Sequence, residues 1–346
     1  MSKSSNYRVI ALTQGAHVPS TRFRFQQFAH DLESNGLDVY ESAARFGAYA
    51  PNSRIIRPFW LTATLVDSLA RVIKTAQYDL CFLQRNLIAT LNSFELLIDI
   101  PLVFDVDDSI FLTQRANSVD KIAKHASLVI CGNKFLAEYF GQLSPVVVLP
   151  TAVDTDKFMP REGGLNFERK IIGWTGSSAT IKYLYTIEPA LSVLLKRFPD
   201  VIVKIISDRK PEFKELPVER VIFEAWNPET EVISLQDFTV GLMPLHDDLW
   251  ARGKCSLKML TYMAMRIPVV VSPVGMNVDV LKNGACGYLA YTVDDWVDAI
   301  SSLLSSQSLS ENMGAIGQMV IKSYYAKNII SPQLAEILRG VLKGIH

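Results

Sequence analysis

The chain has 346 residues, 49% hydrophobic and 20% charged, a composition that excludes a disordered or low-complexity protein. At roughly 100–200 residues per domain it predicts two domains. Lysine plus arginine and aspartate plus glutamate each number 35, so the formal charge is zero and no overall basic field draws the protein to nucleic acid. The cysteines Cys81, Cys131, Cys255 and Cys286 stand far apart without a Cys-x-x-Cys pair, which argues against a zinc site or a disulfide framework and for a reduced, cytoplasmic setting.

The apolar run at residues 7–12 is too short for a signal peptide and suits a buried strand. No apolar stretch approaches the roughly 20 residues that a membrane span needs. Residues 78–83, 101–105, 127–131 and 146–149 repeat the pattern, with helical candidates at 22–35 and 133–140. A polar stretch at 154–165, containing proline and glycine but no periodicity, reads as a linker. The rhythm then restarts, with strands predicted at 170–174, 201–207, 220–223, 238–244 and 268–272 and helices near 180–197, 256–265 and 293–304. Apolar strands alternating with amphipathic helices predict an α/β protein of two doubly wound Rossmann-like domains, residues 1–158 and 167–325, facing across a cleft. A final helical stretch, 331–343, has no strand after it, and residues 326–346 are expected to return to the first domain. In such sheets ligands bind at the carboxyl ends of the strands, so the residues just after each run are the candidates.

The most informative of these positions follows the run at 238–244. A loop carries Gly253 and Lys254, a helix opens near Ser256, and Lys258 lies in its first turn. Unpaired N–H groups at a helix start, close backbone approach at glycine and two cations suit a diphosphate. The alternative is a solvated lysine pair on a surface helix. The same segment continues as Thr261-Tyr-Met-Ala264 and Arg266-Ile-Pro-Val-Val270, then Ser272-Pro-Val-Gly-Met-Asn277, Asn283-Gly-Ala-Cys-Gly-Tyr-Leu-Ala290 and Asp294-Asp-Trp296.

In that order these stretches resemble the donor-site signature of GT-B glycosyltransferases of the large retaining family 4, the glycosyl transferases group 1. The resemblance implies a glycine turn, a strand and an acidic-aromatic helix start across 283–296, and a second domain that binds a nucleotide-sugar donor. Gly253, Lys254, Ser256 and Lys258 would then hold its diphosphate, joined by Gly15 after the first strand and by Gly176 and Ser177 after the run at 170–174. Trp226 falls where relatives bind the nucleobase, with a packed aromatic as the alternative. Relatives also carry two glutamates eight positions apart that contact donor sugar and ribose; here those positions are Gly253 and Thr261. A subset of relatives has a Gly-Lys-Cys-x-x-Lys arrangement instead, which residues 253–258 resemble. The departure leaves the donor sugar, the anomeric outcome and catalysis itself open.

In the first half, Asp105, Asp107 and Asp108 cluster at a strand end as candidates for a catalytic base or for contacts to acceptor hydroxyls, with helix capping as the alternative. Arg22, Arg24, Arg85 and Asn133 also follow predicted strands and are candidates for the acceptor, the arginines through paired N–H donors and Asn133 equally as a helix cap. The stretch Arg54-Ile-Ile-Arg-Pro-Phe-Trp-Leu61 mixes bases with large apolar groups. It suits an anionic membrane surface, but burial of its aromatics in a core is the first expectation.

These readings predict a hexosyltransferase of polysaccharide biosynthesis that moves sugar from a nucleotide diphosphate to a glycan or lipid-linked hydroxyl. Retention of configuration is implied, with no metal ion, no other cofactor and no nucleic-acid partner. The location would be cytoplasmic, or peripheral at the inner face of the membrane. The alternatives are a nucleotide-sugar epimerase on the same fold and a nucleotide-sugar-binding protein without catalysis.

Overall fold

A computed structural model describes residues 7–46, 50–51, 53–88, 94–113 and 117–345. Most strands are apolar on both faces, so each must be covered from two sides, the environment of a parallel sheet between helices. The first sheet has β1 (Tyr7–Thr13), β2 (Leu37–Ala43), β3 (Leu80–Gln84), β4 (Leu102–Val106), β5 (Leu128–Cys131) and β6 (Val146–Val148), ordered β2-β1-β3-β4-β5-β6. The second has β7 (Ile171–Thr175), β8 (Ile202–Ser207), β9 (Val221–Ala225), β10 (Val240–Met243), β11 (Val269–Val271) and β12 (Gly287–Leu289), ordered β12-β11-β10-β7-β8-β9. All pairings are parallel.

The helices are α1 (Pro19–Arg24), α2 (Ala29–Ser34), α3 (Arg57–Thr75), α4 (Ser118–His125) and α5 (Lys134–Phe140), then α6 (Ile181–Tyr185), α7 (Glu188–Arg197), α8 (Glu231–Gln236) and α9 (Leu249–Arg252). They continue with α10 (Leu257–Ala264), α11 (Met276–Leu281), α12 (Val293–Ser305), α13 (Gln307–Val320) and α14 (Lys327–Leu342). The chain divides into two compact units, Met1–Ala152 with Gly253–Cys255 and Lys327–His346, and Val153–Arg252 with Ser256–Ala326. In the first, Ile330, Leu334 and Leu338 of α14 pack into one core with Phe25, Leu32 and the strand side chains. In the second, α7 and α12 supply Leu191, Leu194, Ile300 and Leu303 to a core beneath β7, β8 and β10.

Each apolar run expected to be a strand is one. The run signal missed β2, whose sequence LDVYESA alternates and stays half open to solvent at the sheet edge. The helix expected over 22–35 is broken at Phe25, and the one over 180–197 restarts at Glu188 with Pro189 in its first turn, where proline's missing N–H costs nothing. Residues 54–61 do not bury all their aromatics: Phe59 is 76% exposed at the start of α3.

Strand order fixes where ligands can approach. In the first sheet the order reverses between β1 and β3; in the second it reverses between β7 and β10, the Rossmann arrangement. The carboxyl ends at those two points are followed by Gln14-Gly15 and Arg85, and by Gly176-Ser177 and the loop after Met243.

Candidate functional site

In the second unit the end of β7 is held by α10. The Thr175 amide donates to the Tyr262 hydroxyl at 2.9 Å, and Gly176 N–H donates to Ile206 O at 3.1 Å. Gly176 is required there: a Cβ would stand 2.6 Å from the Trp174 ring and 2.7 Å from Cε of Lys258. The Lys258 stem therefore passes directly over Gly176, with the ammonium 5.6 Å from the Trp174 ring centroid, within cation–π range. Ser177 is exposed before a turn in which Ser178 donates through N–H and Oγ to Asp208 at 2.5 and 2.7 Å. Against the raising effect of burial, those bonds hold the Asp208 carboxyl below its ordinary range.

Helix α10 starts from Ser256 in the left-handed region (φ 53°). The Ser256 hydroxyl donates to Asn277 Oδ1 at 2.7 Å, and Asn277 Nδ2 donates to Ser272 O at 3.0 Å. Ser256 thus offers a rigid helix start, while its hydroxyl is engaged with the fully buried Asn277. The Thr261 hydroxyl donates to Lys258 O at 2.7 Å. Half-buried Trp226, just beyond β9, donates from Nε1 to Glu231 Oε1 at 3.1 Å, which fixes one edge of the indole.

The first unit gathers charge after β3 and β4. Arg85, itself left-handed (φ 59°), donates from Nε to Asp107 at 2.7 Å and from Nη2 to Asp108 at 2.7 Å. Lys254 Nζ lies 3.4 Å from Asp108 Oδ1, and Asn133 Nδ2 donates to Lys254 O at 3.2 Å. Asn133 Oδ1 meanwhile accepts from Leu136 N at 2.9 Å as the cap of α5, so this side chain both caps and tethers. Burial alone would raise the Asp108 carboxyl, but Lys254 and Arg85 outweigh it and hold it below the usual carboxylate range. A carboxylate so stabilised is a poor base and a good fixed charge. The segment Gly253–Cys255 sits close: a Cβ on Gly253 would lie 2.0 Å from Ser109 Oγ and 2.8 Å from Ser109 N. The Cys255 thiol, pushed up by burial, reaches Asp107 O at 3.2 Å.

Asp105 and Arg24, expected to face ligands, close on each other instead. Arg24 donates to Asp105 from Nε at 3.1 Å and from Nη2 at 2.5 Å, and from Nη1 to Leu149 O at 2.7 Å, with both side chains almost fully buried. Burial works against the Arg24 charge, but Asp105 outweighs it and raises the guanidinium further. Beside them Thr21 Oγ1 donates to Gln84 at 2.7 Å, so α1 is pinned across the ends of β3 and β4. Arg22 stays half-buried against the Phe23 ring, and Gly15 turns the chain after β1 at φ 88°. The Lys254 and Lys258 ammonium groups, expected to act jointly, contact Asp108 and Trp174 respectively. Asn277, Tyr262 and Glu231 were not anticipated; the first two lie inside the segments that carried the resemblance. Among the described residues, no group of three or more His, Cys, Asp or Glu side chains is placed to hold a metal ion.

Residues 169–306 match the family described as Glycosyl transferases group 1. D-inositol 3-phosphate glycosyltransferase of Corynebacterium urealyticum is 24% identical over 230 residues, 59% of this chain and 53% of that protein. The chain thus spans about half the length of the curated relative it matches. Among solved structures, sucrose-phosphate synthase of Thermosynechococcus elongatus superposes with a TM-score of 0.74 at 15% identity, covering 97% of this chain and 99% of the other. HepE of Anabaena, solved with UDP and glucose, gives 0.67 at 15% identity, covering 96% and 100%. At these identities the likeness is one of fold.

Proposed function

We propose that this chain, which has the GT-B fold and whose residues 169–306 are a glycosyl transferases group 1 domain, transfers a glycosyl group from a nucleoside-diphosphate sugar to a hydroxyl. The observation that carries the proposal is Lys258 laid over Gly176 and Trp174 at the switch point of the Rossmann-ordered sheet. As the glycosidic bond breaks, the departing diphosphate gains negative charge, and an ammonium already fixed beside a strand end and a helix start stabilises it without reorganisation. The second unit takes the nucleotide, with Trp226 stacking on the base and Ser177 and the start of α10 meeting phosphate oxygens.

The first unit takes the acceptor, a glycan or lipid-linked hydroxyl, near Arg22 and Asp107. Arg85 orients Asp107, and Asp108 serves as the fixed counter-charge of Lys254. Transfer retains anomeric configuration and needs no divalent ion, because Lys258 and the start of α10 neutralise the diphosphate. A second reading, binding without transfer, draws support from Gly253: contact with Ser109 leaves no room for a side chain at that position.

Calorimetric titration with UDP and other nucleoside diphosphates, followed by release of the diphosphate from the matching sugar donors with and without acceptor, tests both readings. Binding with acceptor-dependent release supports transfer. Binding without release supports the second reading, and no binding to any of them overturns both.

A further inference from the structure

Helix α3 carries large apolar side chains on its outer face as well as on its covered one. Its fully buried positions are mostly polar, Thr64, Ser68, Arg71 and Thr75 with Val72, and it is held to the sheet because Arg71 Nη2 donates to Thr13 O at 2.8 Å and Ser42 O at 2.6 Å. Leu61, Leu65 and Leu69 are half-buried, but three large apolar side chains face outward: Phe59 is 76%, Val66 66% and Ile73 65% exposed, and in the turn just before the helix Ile55 is 82% exposed. At about 100° per residue, these positions share one arc of roughly 120° with Thr62, Ala63 and Ala70. Over 19 residues that arc runs for about 28 Å at 1.5 Å per residue. A stripe of this length left to solvent marks a surface that something covers.

The charges around the stripe identify what covers it. Residues 42–66 contain three arginines, Arg45, Arg54 and Arg57, and no acid, although the whole chain is neutral. The one acid within α3, Asp67, is largely buried and faces Arg45 at 3.6 Å. Arg54 and Arg57 are both exposed beside Ile55 and Phe59. A second copy of the chain would meet these cations with the same cations across a two-fold axis and supply no carboxylate. An anionic bilayer supplies both hydrocarbon for the stripe and phosphate for the arginines.

We propose that α3 and the turn before it are a membrane-docking surface, on which the chain lies against anionic lipid with Ile55 and Phe59 inserted among the acyl chains. Flotation of the full chain with phosphatidylcholine vesicles, with and without phosphatidylglycerol, tests this. Binding is expected only when phosphatidylglycerol is present and should weaken with added salt. Phe59→Glu/Val66→Glu is expected to lose on the order of tenfold or more in partitioning. Arg54→Gln/Arg57→Gln should lose about fivefold per arginine, with melting temperatures unchanged because all four side chains are exposed. Equal binding to neutral vesicles, no binding to either, or full binding by both variants overturns the proposal. So does a dimer of the wild-type chain, in sedimentation, that Phe59→Glu/Val66→Glu dissolves, since the covering surface is then a second copy.

Discussion

Lys258 crosses Gly176, its Cε only 2.7 Å from where a Cβ would stand, before its ammonium reaches the face of Trp174. The lysine therefore depends on the absence of a side chain two residues beyond the tryptophan on the same strand end. Lys258→Ala is expected to weaken binding of nucleoside diphosphates by about 1.5–3 kcal/mol, the range for hydrogen bonds to charged groups, and Lys258→Arg to restore only part of it. Gly176→Ala forces a methyl group to 2.6 Å from the buried Trp174 ring. Overpacking of that kind costs about 1–3 kcal/mol, or roughly 2–4 °C of melting temperature per kcal/mol in a unit of this size. Calorimetry and thermal melts check the pair; unchanged affinity in Lys258→Ala would remove the diphosphate role.

Gly253→Glu, which installs the glutamate that the related signature carries, is expected to destabilise the first unit rather than to raise activity. Its Cβ would meet Ser109 Oγ at 2.0 Å and the Ser109 backbone nitrogen at 2.8 Å. Removing the hydroxyl in Gly253→Glu/Ser109→Gly leaves the backbone clash, so melting should recover only in part. Full recovery of the wild-type melting temperature in the double variant would show that the backbone yields.

The depressed Asp108 carboxyl makes a signed prediction for acid. Its native value lies below the unfolded one of about 3.9, so the unfolded chain binds the extra proton as pH falls. The stabilisation is complete above roughly pH 4 and is lost as pH drops through the native value. Urea unfolding followed from neutrality to about pH 3 should show a steeper loss in the wild-type chain than in Asp108→Asn. Parallel curves would mean that Arg85 and Lys254 do not hold the carboxylate in solution.

Asp107→Asn is expected to leave UDP affinity nearly unchanged while lowering transfer, because the proposed nucleotide site lies in the second unit. Exhaustive chelation should leave both intact. Activity that vanishes on chelation and returns with Mg²⁺ or Mn²⁺ would assign the carboxylates of Asp107 and Asp108 a metal-binding role instead.

What the sequence made legible was whatever depends on local pattern. Val9 to Leu12 or Val269 to Val271 are apolar throughout because each is covered on both faces, and such runs announce themselves. The edge strand β2 does not, since one side of it meets water. Helix α3 was hidden for another reason: apolar residues lie on both its faces, half-buried Leu65 and Leu69 with buried Val72 on one and exposed Phe59, Val66 and Ile73 on the other, which blurs the contrast between faces. At the candidate site, position after a predicted strand singled out Gly253, Lys254 and Lys258, and the family resemblance added Gly176, without revealing their partners. That Arg24 neutralises Asp105, 81 residues away, is a consequence of strand order, and that Asn133 reaches Lys254 O, 121 residues away, goes with the inclusion of Gly253–Cys255 in the first unit. No local periodicity encodes strand order.

The first unit is assembled from three separated stretches of chain, Met1–Ala152, Gly253–Cys255 and Lys327–His346. During synthesis, Phe25 and Leu32 emerge early, yet the α14 side chains that pack in their core, Ile330, Leu334 and Leu338, come last. At roughly 5–20 residues per second, about 10–35 seconds separate residue 152 from residue 327, while the second unit can already fold. Nascent chains stalled just before residue 327 should therefore expose an uncovered apolar surface on a half-finished first unit, and that is the stage at which a ribosome-associated chaperone would find a binding site.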